Sequence, residues 1–359
     1  MTKVTVATGS SSYDAQVGAS ILGQFAGLLP DKLRAVRCAI ITDANLARTW
    51  APRICAALEQ CKPLTIEVSA GEGSKSLGQA ETICETMAWA GMDRSSFVIA
   101  VGGGVIGDLA GFVAAIYHRG IPWVNVPTTL LAMVDSAIGG KTAVNLHAGK
   151  NLVGAIHQPS LVIADLDTLE TLPPREFKQG FAEIIKHGII RDAAMLDELQ
   201  QAESSVRFPQ GNLEKLIARN LTIKAAIVAA DEHETTGTRA VLNFGHTVGH
   251  GIERAAGYGT FLHGEAISLG VVAACRLSEK RAGFSTRETE KVVRLLQSFG
   301  LPTSLPVTVS REEVMRAVAS DKKFERGNVR FVVTPRLGEA YVSSDVTIDD
   351  IAEAVEALV

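Results

Sequence analysis

Short runs of apolar, mostly β-branched residues recur through the first half of the chain, separated by segments of helical length. The clearest runs lie at 36–42, 64–69, 96–103, 123–127 and 161–165. Nearly continuous apolar strands that alternate with helices are typical of a parallel sheet covered by helices on its faces. The first half of the chain is therefore predicted to form an α/β domain.

The alternation of strands and helices stops after the sequence ThrLeuProPro at 171–174. Helical patterns predominate from there on, with one short pair of strands at 329–333 and 339–343. A domain boundary is therefore predicted near residue 172, with a Rossmann-like, nucleotide-type α/β domain at 1–172 and a mainly helical domain at 173–359. The predicted helices of the second domain are 175–190, 192–201, 211–232, 243–256, 264–282, 286–299 and 311–320.

The balance of charges excludes some classes of partner. The chain has 359 residues, of which 39 are acidic and 35 basic, so its formal net charge is −4. Without an excess of basic residues, the sequence lacks the electrostatic pattern of a nucleic-acid-binding protein. The most apolar stretch, 97–117, includes Asp108 and five glycines. It is therefore interpreted as a buried strand followed by a helix, and no membrane partner is expected.

The cysteines and the first residues bear on the compartment. The five cysteines are an odd number and show no CxxC spacing, which favours reduced thiols over a disulfide framework or a zinc ribbon. The opening sequence MTKVTVATGSSS lacks the apolar core of a signal peptide. A cytoplasmic enzyme is therefore expected.

A glycine-rich segment lies between a predicted strand and a predicted helix. Residues 102–107 read GGGVIG and satisfy the GxGxxG pattern, whose backbone N–H groups can bind a pyrophosphate. The alternative is a turn that lets the helix pack tightly on the sheet. AspAlaAsn at 43–45 and GlyGluGlySerLys at 71–75 follow two other strands. Ligands of open α/β sheets bind outside the carboxyl ends of the strands, so a nucleotide is predicted near these loops.

Three of the eight histidines are close together in the second half. His246 and His250 are separated by four residues and share one face of a helix, and His263 follows in the sequence LeuHisGlyGlu. A catalytic metal site has three protein ligands, and Glu183 is a candidate carboxylate because it lies in an otherwise apolar helical stretch. Spacing alone suggests His246 and His250 as a pair of metal ligands and leaves open which carboxylate completes the site.

A group of basic residues is a candidate for anion binding. Taken individually, such residues are usually solvated surface charges. Several of them have glycines or apolar residues as neighbours, where anion-binding groups are more expected than solvated ones. The group is Arg119, Lys141, Lys150, Lys186, Lys224 and Arg239.

Seven motifs extend over nearly the whole chain. They are VPTTLLAMVDS (126–136), GGKTAVN (139–145), GKNLVG (149–154), AEIIKHG (182–188), NFGHTVGH (243–250), LHGE (262–265) and DKK (321–323). Together they resemble one family, the 3-dehydroquinate synthases, which belong to the sugar-phosphate cyclases, and they occur in that family's order. The departures, at Met133, Ala137, Ala143 and the LeuHisAla stretch at 146–148, affect neither the metal nor the anion residues.

The resemblance implies a reaction. The family converts 3-deoxy-D-arabino-heptulosonate 7-phosphate into 3-dehydroquinate and phosphate by transient NAD-dependent oxidation, phosphate elimination, re-reduction and intramolecular aldol closure. It also implies NAD, one divalent metal (zinc or cobalt), a homodimer, an NAD-binding first domain and a second domain that binds metal and substrate.

The resemblance also assigns residues to roles. It implies Glu183, His246 and His263 as metal ligands, so that His250 becomes a substrate or proton-transfer residue. The NAD contacts that it implies are Asp43, Asn45, Glu72, Lys75, Gly103, Gly104, Val105, Asp108, Thr128, Thr129, Leu131, Asp135, Lys150, Thr171, Leu172 and Glu176. The substrate contacts are Arg119, Asp135, Lys141, Asn151, Lys186, Lys224, Arg239, Asn243, His250 and one lysine of the pair Lys322 and Lys323.

Two other activities remain as alternatives. One is a sugar-phosphate cyclase with a different substrate, and the other is a metal- and NAD-dependent polyol dehydrogenase. A neutral polyol has no need of so many cationic residues, because an unpaired cation is costly to bury. The sequence therefore favours a substrate that carries phosphate and carboxylate groups.

Overall fold

A computed structural model describes residues 1–201, 210–257, 259–319, 324–325 and 328–358. Lys322 and Lys323 lie outside the described residues. The strands are β1 (Thr2–Ala7), β2 (Ser12–Gly18), β3 (Cys38–Asp43), β4 (Leu64–Val68), β5 (Phe97–Gly102), β6 (Trp123–Pro127), β7 (Lys141–Leu146), β8 (Gly149–Ile156), β9 (Leu161–Asp165), β10 (Phe324–Glu325), β11 (Asn328–Arg336) and β12 (Glu339–Val346). The helices are α1 (Phe25–Leu28), α2 (Ala51–Ala57), α3 (Leu77–Trp89), α4 (Gly104–Ile116), α5 (Pro174–Arg191), α6 (Ala193–Gln201), α7 (Gln210–Ala230), α8 (His246–Ala255), α9 (His263–Ala282), α10 (Thr286–Ser298), α11 (Arg311–Ala319) and α12 (Ile348–Glu356).

The chain divides into two compact units. The first contains Met1–Pro173 together with α7 and the residues that follow it to His233, and the second contains the remainder. The division after Pro173 lies next to the boundary expected from sequence, but α7 does not belong to the second unit as that boundary assigned it. This helix packs on β1 and β2, where Thr2 Oγ1 donates a hydrogen bond to Glu214 Oε1 at 2.7 Å. A single boundary in the sequence cannot represent a chain that returns to its first unit.

The first unit is built on a seven-stranded sheet in the order β1-β2-β9-β6-β5-β3-β4. β1 is antiparallel to β2, and the other neighbouring strands are parallel. The five strands predicted from apolar runs are therefore confirmed, as is the α/β fold. Ile40 and Ile41 of β3 belong to core clusters on opposite faces of the sheet, as strand geometry requires. With parallel strands, the carboxyl ends share one edge of the sheet.

Two antiparallel hairpins of the first unit were not predicted. β1 pairs with β2 at the margin of the sheet, and β7 pairs with β8 in a separate two-stranded sheet. The first has a readable signal, since Val4 and Val6 are buried while the residues between and beside them are not. The second packs on α4 at Gly111, where an added Cβ would lie 2.5 Å from Thr142 Cγ2. Its position therefore depends on tertiary packing as much as on its own pattern.

A buried carboxylate connects α7 to the β1–β2 turn. Glu232 accepts hydrogen bonds from the Ser10 hydroxyl at 2.5 Å, the Ser10 N–H at 3.0 Å and Gln158 Nε2 at 3.0 Å. Burial acts to raise the pKa of Glu232, but these hydrogen bonds lower it to about 2.

The second unit consists mainly of helices α5, α6 and α8–α12, with the β11–β12 pair packed on α9. The predicted strand pair is confirmed, and α12 is an additional helix that begins with a Thr347 capping box. Within the described residues, none of the helices combines the length and apolar character needed to cross a bilayer.

Candidate functional site

Three side chains of the second unit converge on one point. Glu183 is fully buried in the middle of α5, His246 is the first residue of α8, and His263 is the first residue of α9. Glu183 Oε1 lies 3.6 Å from His246 Nε2 and 3.7 Å from His263 Nε2. The three residues that the resemblance implies as metal ligands therefore lie together.

Glycines allow the helices to approach closely enough for this convergence. Gly245 has φ +79°, in the left-handed region that favours glycine, and turns the chain into α8. A Cβ on Gly270 of α9 would lie 1.9 Å from the Gly245 carbonyl oxygen, so no other residue fits at this crossing. A Cβ on Gly264 would lie 2.1 Å from the Gln179 carbonyl oxygen of α5. The first contact brings the start of α8 against α9, and the second brings the start of α9 against α5.

The charges around Glu183 keep it ionised. Burial acts to raise the pKa of Glu183, but the Lys186 ammonium, which forms an ion pair with it, and the two imidazoles hold that pKa well below its ordinary range. Burial and then Lys186 lower the pKa of His246 well below its usual value. Burial also acts to lower the pKa of His263, but Glu183 and Glu253 raise it to about 10. A metal ion would therefore compete with a proton at Nε2 of His263 and not at Nε2 of His246.

The Nδ1 atoms of both imidazoles contact other acceptors. His246 Nδ1 lies 3.2 Å from the Phe244 carbonyl oxygen, and His263 Nδ1 lies 3.6 Å from Glu253 Oε1. Metal-binding histidines typically donate the second ring N–H in this way, which fixes the tautomer and the ring orientation. The arrangement leaves Nε2 of each ring directed towards Glu183. Sequence reasoning did not identify Glu253, whose role depends on the tertiary structure.

His250 occupies a different position from the one suggested by helical spacing alone. It is exposed, its ring centroid lies 5.3 Å from that of His246, and it groups with Glu253 and His263. The i, i+4 pair shares a helix face, but the carboxylate of Glu183 groups with His246 and His263. This geometry supports His250 as a residue beside the metal site.

The donor set fits zinc or cobalt. Two ligand atoms about 2.1 Å from one tetrahedral zinc ion lie about 3.4 Å apart, close to the two measured separations. Both oxygens of Glu183 are buried, and neither forms a well-oriented hydrogen bond with the described residues. Oε2 forms an ion pair with Lys186, whereas Oε1 faces the two imidazoles, where a divalent cation would satisfy it.

The residues that the resemblance assigns to NAD lie mostly at the carboxyl edge of the sheet. Asp43 ends β3, the 71–75 loop follows β4, Gly103 and Gly104 connect β5 to α4, and Thr128 and Thr129 follow β6. The Thr128 N–H donates to the Gly102 carbonyl at 3.0 Å. Burial raises the pKa of Asp43, although hydrogen bonds from Asn45 and Leu46 oppose that shift. Val105 lies at the start of α4, and Leu131 lies shortly after β6. Thr171 Oγ1 accepts a hydrogen bond from Trp50 Nε1 at 3.0 Å, and Leu172 is the next residue. Glu176 lies on α5 in the second unit.

One glycine of the glycine-rich segment is required for close packing of the chain against α4. A Cβ on Gly102 would lie 2.5 Å from Ile106 Cβ, which excludes other residues there. Gly103 and Gly104 meet only side chains, Thr129 Cγ2 and Ser136 Oγ, each at 3.1 Å. These two glycines form the turn into the first residues of α4, where backbone N–H groups attract anions.

Lys75 is the centre of a polar network in the first unit. It is 4% exposed, and its ammonium donates to Asp108 Oδ2 at 2.5 Å and to Asn151 Oδ1. Glu72 Oε1 lies 4.0 Å from the same nitrogen. Burial raises the pKa of Asp108, while Lys75 acts in the opposite direction. Four residues assigned to NAD or substrate are thus in contact.

A second network joins Lys224 of α7 to Asp135. The Lys224 ammonium donates to Asp135 Oδ1 at 2.5 Å and to its carbonyl oxygen at 2.6 Å. Because α7 belongs to the first unit, so does Lys224, which the resemblance assigns to substrate. Lys141 begins β7 and Lys150 lies in β8 of the same unit. Buried Arg239 and half-buried Asn243 occupy one short helical segment directly before α8.

Arg119 is not brought to this edge within its own chain. α4 starts at the carboxyl edge and ends at Ile116, so Arg119 lies at the amino edge, just before β6. Thirteen helical residues span about 20 Å. Arg119 is exposed and has φ +68°, a conformation that a non-glycine residue rarely adopts.

Comparisons with known proteins identify the relatives of this chain. Family models described as 3-dehydroquinate synthase N-terminal and C-terminal match residues 65–179 and 180–324. A protein of Symbiobacterium thermophilum named 3-dehydroquinate synthase is 46% identical, over 98% of this chain and 99% of its own length. A solved 2-deoxy-scyllo-inosose synthase with carbaglucose-6-phosphate, NAD+ and Co2+ is 25% identical over 100% of both chains, with a TM-score of 0.91. A 2-epi-5-epi-valiolone synthase of Streptomyces hygroscopicus subsp. jinggangensis with NAD+ and Zn2+ bound is 28% identical over 98% of both chains, with a TM-score of 0.86.

Proposed function

The chain belongs to the 3-dehydroquinate synthase family, and from that premise we propose which residues carry out each part of the reaction. The protein converts 3-deoxy-D-arabino-heptulosonate 7-phosphate into 3-dehydroquinate and phosphate. The observation that carries the proposal is the convergence of His246 Nε2 and His263 Nε2 on one oxygen of buried Glu183.

NAD and one divalent metal are the cofactors. When bound, NAD transiently oxidises one carbon of the substrate, and the metal, as a Lewis acid, polarises the oxygen at that carbon. Glu183, His246 and His263 would hold the metal. The residues that would hold NAD are those at the carboxyl edge, with Lys75 as the buried cation among them.

The residues proposed for substrate binding neutralise and orient its two anionic groups. Lys141, Lys186, Asn151 and Lys224 suit the phosphate, and Arg239 can grip a carboxylate with two parallel N–H bonds. His250, exposed beside the metal ligands, is placed to hold a proton on its imidazole. The departing phosphate of the substrate can itself act as the base, so no further enzymic base is needed.

The alternatives are less well supported. The relatives that act as other sugar-phosphate cyclases are 25% and 28% identical to this chain, against 46% for a 3-dehydroquinate synthase. The direct experiment is to incubate the protein with the heptulosonate phosphate, NAD+ and Co2+ or Zn2+, quantify phosphate and identify the carbocyclic product. Equal turnover of sedoheptulose 7-phosphate, which has no carboxylate, would support another cyclase instead.

The protein is proposed to act as a homodimer in which each copy contributes Arg119 to the site of the other. Arg119 lies at the amino edge, about 20 Å along α4 from the loops of its own chain, so it can reach substrate only in a neighbouring copy. Arg119→Ala and His263→Ala should each be inactive alone. Co-expressed, they should recover about a quarter of the activity, because half of the randomly formed dimers contain one intact site. If the co-expressed variants recovered no activity, the shared site would be contradicted.

The proposed compartment is the cytoplasm, which the five free cysteines fit.

A further inference from the structure

One asparagine of the β7–β8 hairpin links two groups of residues that the proposed function assigns to different ligands. Asn145 Nδ2 donates to Glu72 Oε1 at 2.8 Å, and Asn145 Oδ1 accepts from the N–H of Asn151 at 2.9 Å. The N–H of Asn145 donates to the Lys75 carbonyl at 2.8 Å. Asn145 thus contacts two residues proposed for NAD and one proposed for substrate.

The contact with Asn151 holds a backbone conformation that is uncommon outside glycine. Asn151 has φ +57°, in the left-handed region, which asparagine tolerates better than most other residues. The hydrogen bond from its N–H to Asn145 holds the backbone, while its side-chain oxygen accepts from the Lys75 ammonium. The direction of the Asn151 side chain is therefore fixed from both ends.

We propose that Asn145 is a positioning residue that couples the binding of NAD+ to the binding of substrate. This inference rests on the proposed function, which supplies the roles of Glu72, Lys75 and Asn151. A dinucleotide that restrains Glu72 and Lys75 also restrains Asn145, and Asn145 transmits that restraint to Asn151. Because coupling between two sites is reciprocal, each ligand tightens the binding of the other.

The test measures the Kd of NAD+ by calorimetry with and without 3-dehydroquinate, the product, which has no phosphate group left to eliminate. In the parent protein the product should lower the Kd of NAD+ about fivefold or more. In Asn145→Ala this ratio should fall to about one, with a raised KM for the heptulosonate phosphate. The main-chain bond to Lys75 remains in this variant, so the hairpin should stay attached. An unchanged ratio in the variant, or no coupling in the parent, would overturn the proposal.

Reversing the direction of the hydrogen bond between Asn145 and Glu72 tests whether this bond carries the coupling or only supports the local structure. Asn145→Asp retains the acceptor for Asn151 but places a carboxylate against Glu72, so the two repel. In Asn145→Asp combined with Glu72→Gln, the amide can donate to the new carboxylate, and the net charge equals that of the parent. The effect of Asn145→Asp on the coupling ratio should therefore be smaller in the Glu72→Gln background. An equal effect in both backgrounds would refute the proposed link.

A matched control comes from the same hairpin. His147 is exposed, two positions beyond Asn145, and His147→Ala should leave the coupling ratio and KM unchanged. Failure of the parent protein to release phosphate overturns the proposed function. An active parent whose Asn145 variants couple normally overturns this inference alone.

Discussion

Replacing Gly264 with alanine should weaken metal binding without touching a metal ligand. Gly264 follows His263 at the start of α9, and its N–H donates to Gln179 Oε1 at 3.1 Å. An added Cβ would lie 2.1 Å from the Gln179 carbonyl oxygen and 2.7 Å from its carbonyl carbon. Because ordinary contacts begin near 3.4 Å, α9 and α5 must separate by about 1 Å here, at a cost of about 1–3 kcal/mol.

The separation acts directly on the proposed ligands. Gln179 and Glu183 are one turn apart on α5, so a shift at Gly264 widens the 3.7 Å gap between His263 Nε2 and Glu183 Oε1. Metal sites tolerate distance errors of about 0.2 Å. The affinity of Gly264→Ala for Co2+ should therefore fall by about 10–100-fold, the range seen when the supports of metal ligands are altered. Competition with a chromophoric chelator measures this affinity, and urea unfolding in EDTA measures stability.

Gly78→Ala provides the control. An added Cβ on Gly78, near the start of α3, has no neighbour within 4 Å. Helix propensity then stabilises this variant by up to about 1 kcal/mol, and Co2+ binding should be unchanged. Parental Co2+ affinity and parental stability in Gly264→Ala would refute the packing argument.

Three further predictions concern single side chains. Glu253→Gln should lower the affinity for Co2+ about 10–100-fold, whereas His263→Ala should lose the ion altogether. An equal loss of Co2+ affinity in the two variants would mean that Glu253 is itself a ligand. With the folded pKa of Glu232 at about 2, its ionised form contributes stability above an unfolded pKa of about 4.5, and this contribution disappears as pH falls towards 2. The difference in unfolding free energy between the parent and Glu232→Gln should therefore narrow by about 2 kcal/mol from pH 7 to pH 3. A difference that stays constant with pH would contradict the lowered pKa of Glu232. Arg239→Lys should lower kcat/KM at least about tenfold, because lysine lacks the planar fork, and an unchanged value would remove the proposed carboxylate contact.

Local patterns predicted those parts of the fold that depend on local sequence. The strands after 36, 96, 123 and 161 are central and buried on both faces, so their apolar runs are readable. The strand after 64 lies at the edge of the sheet, and its alternation of buried and exposed residues is readable as well. The return of α7 to the first unit has no such signal, because it depends on contacts with β1 and β2. The i, i+4 spacing of His246 and His250 was a real helical feature, yet it carries no information on where Glu183 and His263 lie. Asn145 and Glu253 were missed for the same reason.

In the proposed reaction, one oxidation and one reduction occur on the same substrate molecule. This can be tested by supplying NAD+ well below the substrate concentration, with Co2+ or Zn2+, and following phosphate and the absorbance of NADH together. Many molecules of phosphate and 3-dehydroquinate should form for each NAD+, with no net NADH. Steady accumulation of NADH equal to the substrate consumed, without release of phosphate, would contradict the proposed reaction and indicate a dehydrogenase.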